Sequence, residues 1–247
     1  MSLTEQIVIL AAGLGSRLGS AEAGVPKPLM EVGGATLIAH ALAHAEASGC
    51  RDAVIVVGYE GARVRSAVEA IHTALTVRFV ESPDPTAPNG HSLLAAAPLA
   101  RSRFFLQMVD HVFGQPVLPL LDRGRPHEGE TARLLVDLNP DESIDLADAT
   151  RVRLNGVRIT SIGKGIEPWD AIDTGCFVLT PEIFRALTDV PPFEPRTVSS
   201  AMRRLVQSGS LYSADIGDVP WADVDTPGDR EVAERLLTYS SLRTLTP

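Results

Sequence analysis

Apolar runs and helix-period segments alternate along the first half of the chain. Apolar strand-like runs at 6–10, 53–57, 77–81 and 104–109 predict strands. Between them, apolar positions recur at helical spacing over 36–48, closed by Gly49, over 61–73 and over 90–97. Strands joined by such crossovers lie parallel, with helices covering both faces of the sheet. The rhythm changes after residue 130. Strand patterns at 131–138, 151–154 and 157–162 follow one another without helices, and Asn155-Gly156 signals a type I′ hairpin between the last two. Residues 140–149 are acidic and predict a loop. A strand at 171–179 and helices at 181–187 and 198–208 follow, and Thr226-Pro227 caps a final helix to about residue 239. The expectation is an α/β fold with a doubly wound, mostly parallel central sheet and a small antiparallel insertion in the second half. All of residues 1–247 fall in a single domain, with halves at about 1–125 and 126–247.

One segment departs from mere alternation. The first strand, Ile7-Val8-Ile9-Leu10, runs into a glycine-rich turn carrying Arg17, and Lys27 follows between Pro26 and Pro28. Glycines let successive backbone N–H groups form a concave anion-binding surface. Each proline disfavours helix at the residue before it, which predicts an extended segment around Lys27. Only two of the 22 basic residues are lysines, Lys27 and Lys164. A chain that otherwise uses arginine has kept a compact ammonium in two places. The turn is not a dinucleotide fingerprint, because Leu18 stands where the third glycine belongs, and no Gly-Lys-Ser/Thr ending makes a P-loop.

Charge and cysteines narrow the partners. A net charge of −9 argues against a nucleic-acid partner while allowing a local basic pocket. Cys50 and Cys176 lack metal-ligand spacing and suit a reducing compartment. No leader pattern appears and no run reaches the ~18 apolar residues of a span, so a cytoplasmic protein without stable membrane insertion is expected. His40 and His44 share a helix face, but Ala41 breaks the zincin pattern, and they read as ordinary helix residues.

Three further stretches hold polar residues suited to chemistry. Asp110 leaves a buried strand at its C-terminal end, where open α/β sheets bind ligands, and a hard carboxylate there suits Mg²⁺ or caps a helix. Ser161-Ile162-Gly163-Lys164-Gly165 precedes Asp173-Thr174-Gly175, and Trp221-Ala222-Asp223-Val224-Asp225-Thr226-Pro227 comes late. Together with Ala11-Ala12-Gly13-Leu14-Gly15-Ser16-Arg17-Leu18 and Pro26-Lys27-Pro28-Leu29, these stretches resemble the nucleotidyltransferases that couple a nucleoside triphosphate to a phosphorylated alcohol or sugar. Asp110-His111-Val112-Phe113, Gly163-Lys164 and Ile172-Asp173-Thr174-Gly175 resemble in particular the CTP:inositol-1-phosphate cytidylyltransferases.

The resemblance implies a Rossmann-like nucleotidyltransferase fold and assigns roles. Leu10, Ala11, Ala12, Gly13, Gly15, Ser16 and Arg17 would hold the triphosphate, and Asn89, Gly90 and Ser92 the base. Lys27 would sit on the α-phosphate, and Asp110 and Asp225 would share Mg²⁺, with Asp223 an open alternative to Asp225. Lys164 would meet the acceptor phosphate, with Asp173 and Gly175 beside the acceptor. The implied partners are CTP and inositol 1-phosphate, giving CDP-inositol and pyrophosphate. Some members are fused to a membrane-embedded synthase; a free-standing transferase is expected here, and a homo-oligomer is compatible with it. Alternatives are transfer to a sugar 1-phosphate, phosphocholine or a phosphonate, a non-catalytic nucleotide sensor, and, more distantly, a dehydrogenase.

Overall fold

The computed structural model describes residues 4–15, 24–142 and 144–243. Its first half contains β1 (Gln6–Ala11), β2 (Glu31–Val32), β3 (Ala35–Thr36), α1 (Leu37–Ala47), β4 (Asp52–Val57), α2 (Gly61–Glu69), β5 (Thr76–Glu81), α3 (Asn89–Ala95), β6 (Phe104–Met108), β7 (His111–Phe113) and α4 (Leu118–Leu121). The second contains β8 (Ala132–Asp137), β9 (Arg151–Asn155), β10 (Arg158–Gly163), β11 (Ala171–Leu179), α5 (Glu182–Thr188), α6 (Val198–Gln207), β12 (Leu211–Asp215), β13 (Trp221–Asp223) and α7 (Pro227–Arg243). Nine strands form one sheet in the order β5-β4-β1-β6-β11-β8-β12-β10-β9.

Period-two alternation explains how the sheet is covered. Along β1, Ile7, Ile9 and Ala11 join one apolar cluster with α1, α2 and α7, while Val8, Leu10 and Ala12 join another with α3, α5 and α6. Both faces of the strand are therefore buried, and its sequence reads as a continuous apolar run.

The expected parallel character holds for half of the sheet. β5, β4, β1 and β6 are mutually parallel, as are β8 and β12, but β11 runs antiparallel to β6, β8 and β9, and β10 is antiparallel to both β9 and β12. The sheet is mixed rather than mostly parallel. The predicted insertion also proves to be the edge of the main sheet, because β9 pairs with β11 and β10 with β12. Asn155-Gly156 does mark the hairpin, yet Arg158 pairs with Asn155, so Gly156 and Val157 are the central residues. Only Gly156 has positive φ (59°), which is the II′ pattern, not I′. Among the described residues, no helix is long and apolar enough to cross a membrane.

Two short ribbons lie outside the main sheet. β13 pairs antiparallel with β7, placing Asp223 opposite His111 and Trp221 opposite Phe113. This ribbon brings the late acidic motif to the C-terminal end of β6.

Candidate active site

Lys27 opens a single 3-10 turn (Lys27–Leu29), where an extended segment was expected. A proline in the first positions of such a turn forfeits no hydrogen bond, so Pro28 permits it. The turn buries the residue, which is 7% exposed, and Lys27 Nζ lies 2.5 Å from Asp110 Oδ2 and 2.5 Å from Asp225 Oδ1. Burial opposes the charged ammonium, but the two carboxylates outweigh it and raise its pKa above the ordinary lysine range. For Asp110, burial is likewise overridden, by Lys27 and His111, and its carboxyl is held well below the usual range.

The backbone makes this convergence specific. Val224 N–H donates to the Asp110 carbonyl (3.0 Å), tying the two strand ends together. Asp229, in the first turn of α7, accepts from the backbone N–H groups of Asp225 (3.1 Å) and Thr226 (2.7 Å), and its own N–H reaches Thr226 Oγ1 (3.3 Å). The helix start is thereby capped reciprocally and Asp225 is held in place.

His111 lies beside this pair. Its Nδ1 is 2.9 Å from Asp110 Oδ1 and 3.9 Å from Asp223 Oδ1, and its ring stacks on Trp221 (centroids 5.8 Å apart). Trp221 is aimed by its Nε1–H, which donates to Asp137 Oδ2 (2.8 Å). Burial would lower the imidazole pKa, but Asp223, Asp110 and Asp173 push it up to about 9. Burial raises Asp223 and Asp173 to about 6 against the pull of His111. Asp110, His111 and Asp223 offer donor atoms all within 4.8 Å of one another, and among the described residues the buried Asp223 Oδ1 has no hydrogen-bond partner. Clustered hard oxygens of this kind fit a small divalent cation.

Two cavities meet at Asp110 and Asp225. The smaller, about 260 Å³, is lined by Leu10, Ala12, Gly13, Gly15 and Lys27 on one side and by Ala87, Asn89 and Ser92 on the other. The larger, about 740 Å³, is lined by Lys164, Asp148, Asp173, Gly175, His111 and Trp221 among others. Asn89, Met108, Asp110 and Asp225 line both. Lys164 is ion-paired with Asp148 from the acidic loop. Asp173 sits at an irregularity in β11 where Gly175 adopts φ +74°, and its Oδ1 accepts the Gly175 N–H (2.7 Å). A Cβ on Gly175 would lie 2.6 Å from the His111 ring, so that glycine is the seat of the imidazole.

The remaining sequence candidates divide. Ala11 is buried in the core and lines neither cavity. Gly90 is a packing residue: a Cβ there would meet the Arg196 carbonyl at 2.3 Å. Asn89 Oδ1 accepts the Val198 N–H (2.9 Å) at the start of α6, and Ser92 Oγ is 3.0 Å from Ser82 Oγ. Ser16 and Arg17 lie outside the described residues.

Sequence reasoning passed over His111, Trp221, Asp148 and Gly58 as site residues. A Cβ on Gly58 would lie 2.6 Å from the Ala12 carbonyl, which also accepts the Tyr59 N–H (3.2 Å), so Gly58 lets the glycine-rich turn lie against the end of β4. The adjacency of His111 to Asp110 at a strand end was the available signal for the imidazole. Nothing local could have paired Asp148 with Lys164.

A mixed α/β sheet with a glycine-rich turn after β1, and with lysine and carboxylates converging beyond the strand ends, defines the class of nucleotidyltransferases. The chain belongs to the family of MobA-like NTP transferase domains, whose model matches residues 7–135, a little over half of it. It is 36% identical over 231 residues to a bifunctional IPC transferase and DIPP synthase of Rubrobacter xylanophilus, covering 93% of this chain and 51% of that protein. A protein of the same description from Thermococcus kodakarensis is 30% identical over 239 residues, covering 97% of this chain and 52% of that one. The chain thus spans about half the length of these relatives. The solved structure of the inositol-1-phosphate CTP transferase from T. maritima shares the fold, with a TM-score of 0.86, 24% identity and 97% of each chain covered.

Proposed function

We propose that this protein transfers CMP from CTP to a phosphorylated alcohol, inositol 1-phosphate in the first instance, giving CDP-inositol and pyrophosphate. The observation that carries the reading is the meeting of two cavities at Asp110 and Asp225, the carboxylates that hold Lys27, one cavity lined by the glycine-rich turn and the other by Lys164 and carboxylates. The names of the relatives, which couple IPC transfer to DIPP synthesis, and the inositol-1-phosphate CTP transferase of like fold support the choice of substrates.

In this reading the nucleotide occupies the smaller cavity, with the 10–15 backbone and Arg17 on its phosphates and Asn89 and Ser92 toward the base. The acceptor occupies the larger one, its phosphate replacing Asp148 on Lys164 and its hydroxyls donating to Asp173. An acceptor phosphate oxygen attacks the α-phosphorus; the new P–O bond forms as the bond to the β-phosphate oxygen breaks, and pyrophosphate leaves. A phosphate monoester is largely a dianion at neutral pH, with a second pKa of about 6, so no general base is required. Catalysis then rests on holding two polyanions together and neutralising them, the task of Lys27 and Lys164 in a water-poor site. A divalent cation, Mg²⁺ by the hardness of its donors, would be held by Asp110 with Asp225 or Asp223 and would neutralise phosphate charge. The division into a nucleotide half (about 1–125) and an acceptor half (about 126–247), with Asn89, Met108, Asp110 and Asp225 lining both cavities, is part of the proposal. Two free buried cysteines, Cys50 and Cys176, support a cytoplasmic setting.

Pyrophosphate release with Mg²⁺, across four nucleoside triphosphates and a panel of phospho-alcohols, tests it. Release with CTP and inositol 1-phosphate is the expected result. Release only with a hexose 1-phosphate, phosphocholine or a phosphonate would move the acceptor, and no release with any pair would leave a nucleotide sensor.

A further inference from the structure

Lys27 has a second task that its proposed role on the α-phosphate does not describe. Its ammonium lies between Asp110 and Asp225, 2.5 Å from an oxygen of each, with no more than 7% of the residue exposed. Resting on the proposed function, Asp110 is assigned to the divalent cation and Asp225 is one of the two carboxylates that could complete its site. An ammonium and a divalent cation cannot share that space, because like charges a few ångströms apart in a poorly hydrated site repel strongly. For the cation to enter, the lysine must leave. Its exit runs into the smaller cavity, which it also lines, beside Gly13 and Gly15. With no anion there, the lysine would exchange two buried ion pairs for none, and a buried charge left without its partner is strongly unfavourable. A triphosphate in that cavity removes the obstacle by offering its own oxygens to the ammonium.

We infer that Lys27 is the resident cation of the ligand-free site, and that the divalent cation enters only with the nucleotide that draws the lysine away. Binding of the two ligands is coupled through one side chain. The metal-free enzyme keeps its carboxylates neutralised, and the free ion does not compete for them.

Mn²⁺ binding, read from the electron paramagnetic resonance signal of the free ion, tests this without turnover. The wild-type protein should bind Mn²⁺ alone weakly at the site, and Lys27→Met should bind it at least tenfold more tightly, a gain of function that misfolding cannot produce. Adding Asp225→Asn to Lys27→Met should abolish the gain. If Lys27→Met gains nothing while Asp225→Asn weakens Mn²⁺ binding in the presence of α,β-methylene-CTP, the inference is overturned and the cation site stands. If the gain survives Asp225→Asn, the inference is overturned, because the cation then lies with Asp110 and Asp223 and Lys27 does not occupy its place. Should Lys27→Met fail to fold, wild-type crystals decide. Soaked in Mn²⁺ alone they should show no anomalous peak between Asp110 and Asp225, and with the CTP analogue they should show one, with Lys27 moved. A peak from Mn²⁺ alone overturns the inference.

Discussion

His44 gives the sharpest stability prediction. It sits on α1, buried, with its ring stacked on Phe113 at 4.9 Å. Val117 N–H donates to its Nε2 (3.0 Å), so the ring proton is on Nδ1 and donates to Gln107 Oε1 (2.8 Å), and Gln107 Nε2–H then reaches the His111 carbonyl (3.2 Å). This chain of bonds ties both ends of the segment bearing Asp110 to α1. It also requires a neutral imidazole, and burial pushes the His44 pKa down to about 4, with the Gln107 bond a smaller opposing effect. The unfolded chain, with an ordinary histidine near 6.5, takes up its proton first as the pH falls. The stability contribution is therefore complete above pH ~6.5, declines as the pH falls toward 4 and levels off below it. The two pKa values imply a loss of about 2 kcal/mol by pH 5 and roughly 3 kcal/mol in full. Urea unfolding of the wild type and of His44→Asn, at matched pH between 7.5 and 4.5, measures this. Asn can imitate the Nδ1–H donor but does not titrate, so the variant should be less stable at pH 7.5 by about 1–3 kcal/mol. The gap should shrink by about 2 kcal/mol at pH 5. Titrating groups common to both proteins cancel in the comparison. Parallel pH profiles, or a His44 ring resonance titrating near 6.5, would refute the reasoning.

Three further outcomes are expected. Lys164→Ala should lower kcat/KM for the acceptor by two orders of magnitude or more, while urea midpoints move little, because an exposed ion pair such as Lys164–Asp148 is worth at most about 1 kcal/mol. Nucleotide binding should survive it, and an unchanged acceptor profile would remove Lys164 from the site. Gly175→Ala must drive a Cβ to 2.6 Å from the His111 ring at φ +74°, so a loss of about 1–3 kcal/mol with a fall in turnover is expected; a thermal melt and initial rates check both. Asp223→Asn and Asp225→Asn, assayed separately against Mg²⁺ concentration, decide the cation ligand. The residue whose loss raises the Mg²⁺ requirement is the ligand, and unchanged Mg²⁺ curves in both would take the cation away from this cluster.

Legibility followed the range of the forces. Strands β1, β4 and β6 were readable because both of their faces are buried, which makes each a nearly unbroken apolar run, and the edge strand β5 was readable from its β-branched and aromatic residues although it is only half-buried. β12 was missed because Leu211-Tyr212-Ser213-Ala214-Asp215 mixes polar and apolar positions and becomes a strand by pairing in parallel with β8. The direction of β11 was equally hidden, since an apolar strand looks alike in either orientation. Gly90 and Gly175 show the same limit at single residues. Both sit in motifs that suggested ligand contact, and both are required by close packing, of α3 under the Arg196 carbonyl and of β11 against His111.

By itself the sequence determined the periodic elements, the glycine-rich turn after β1, the family likeness and the list of charged side chains to watch. Those depend on neighbours within a few residues or on motifs read in order. Tertiary structure alone decided which charges meet. Lys27 finds Asp110 across 83 residues and Asp225 across 198, because β6 and β13 end beside the same turn. His111 entered the site only when β7 paired with β13 and set it against Trp221 and Asp223. Charge is written along the chain one residue at a time, but the energy of a buried charge depends on what the fold places within a few ångströms of it.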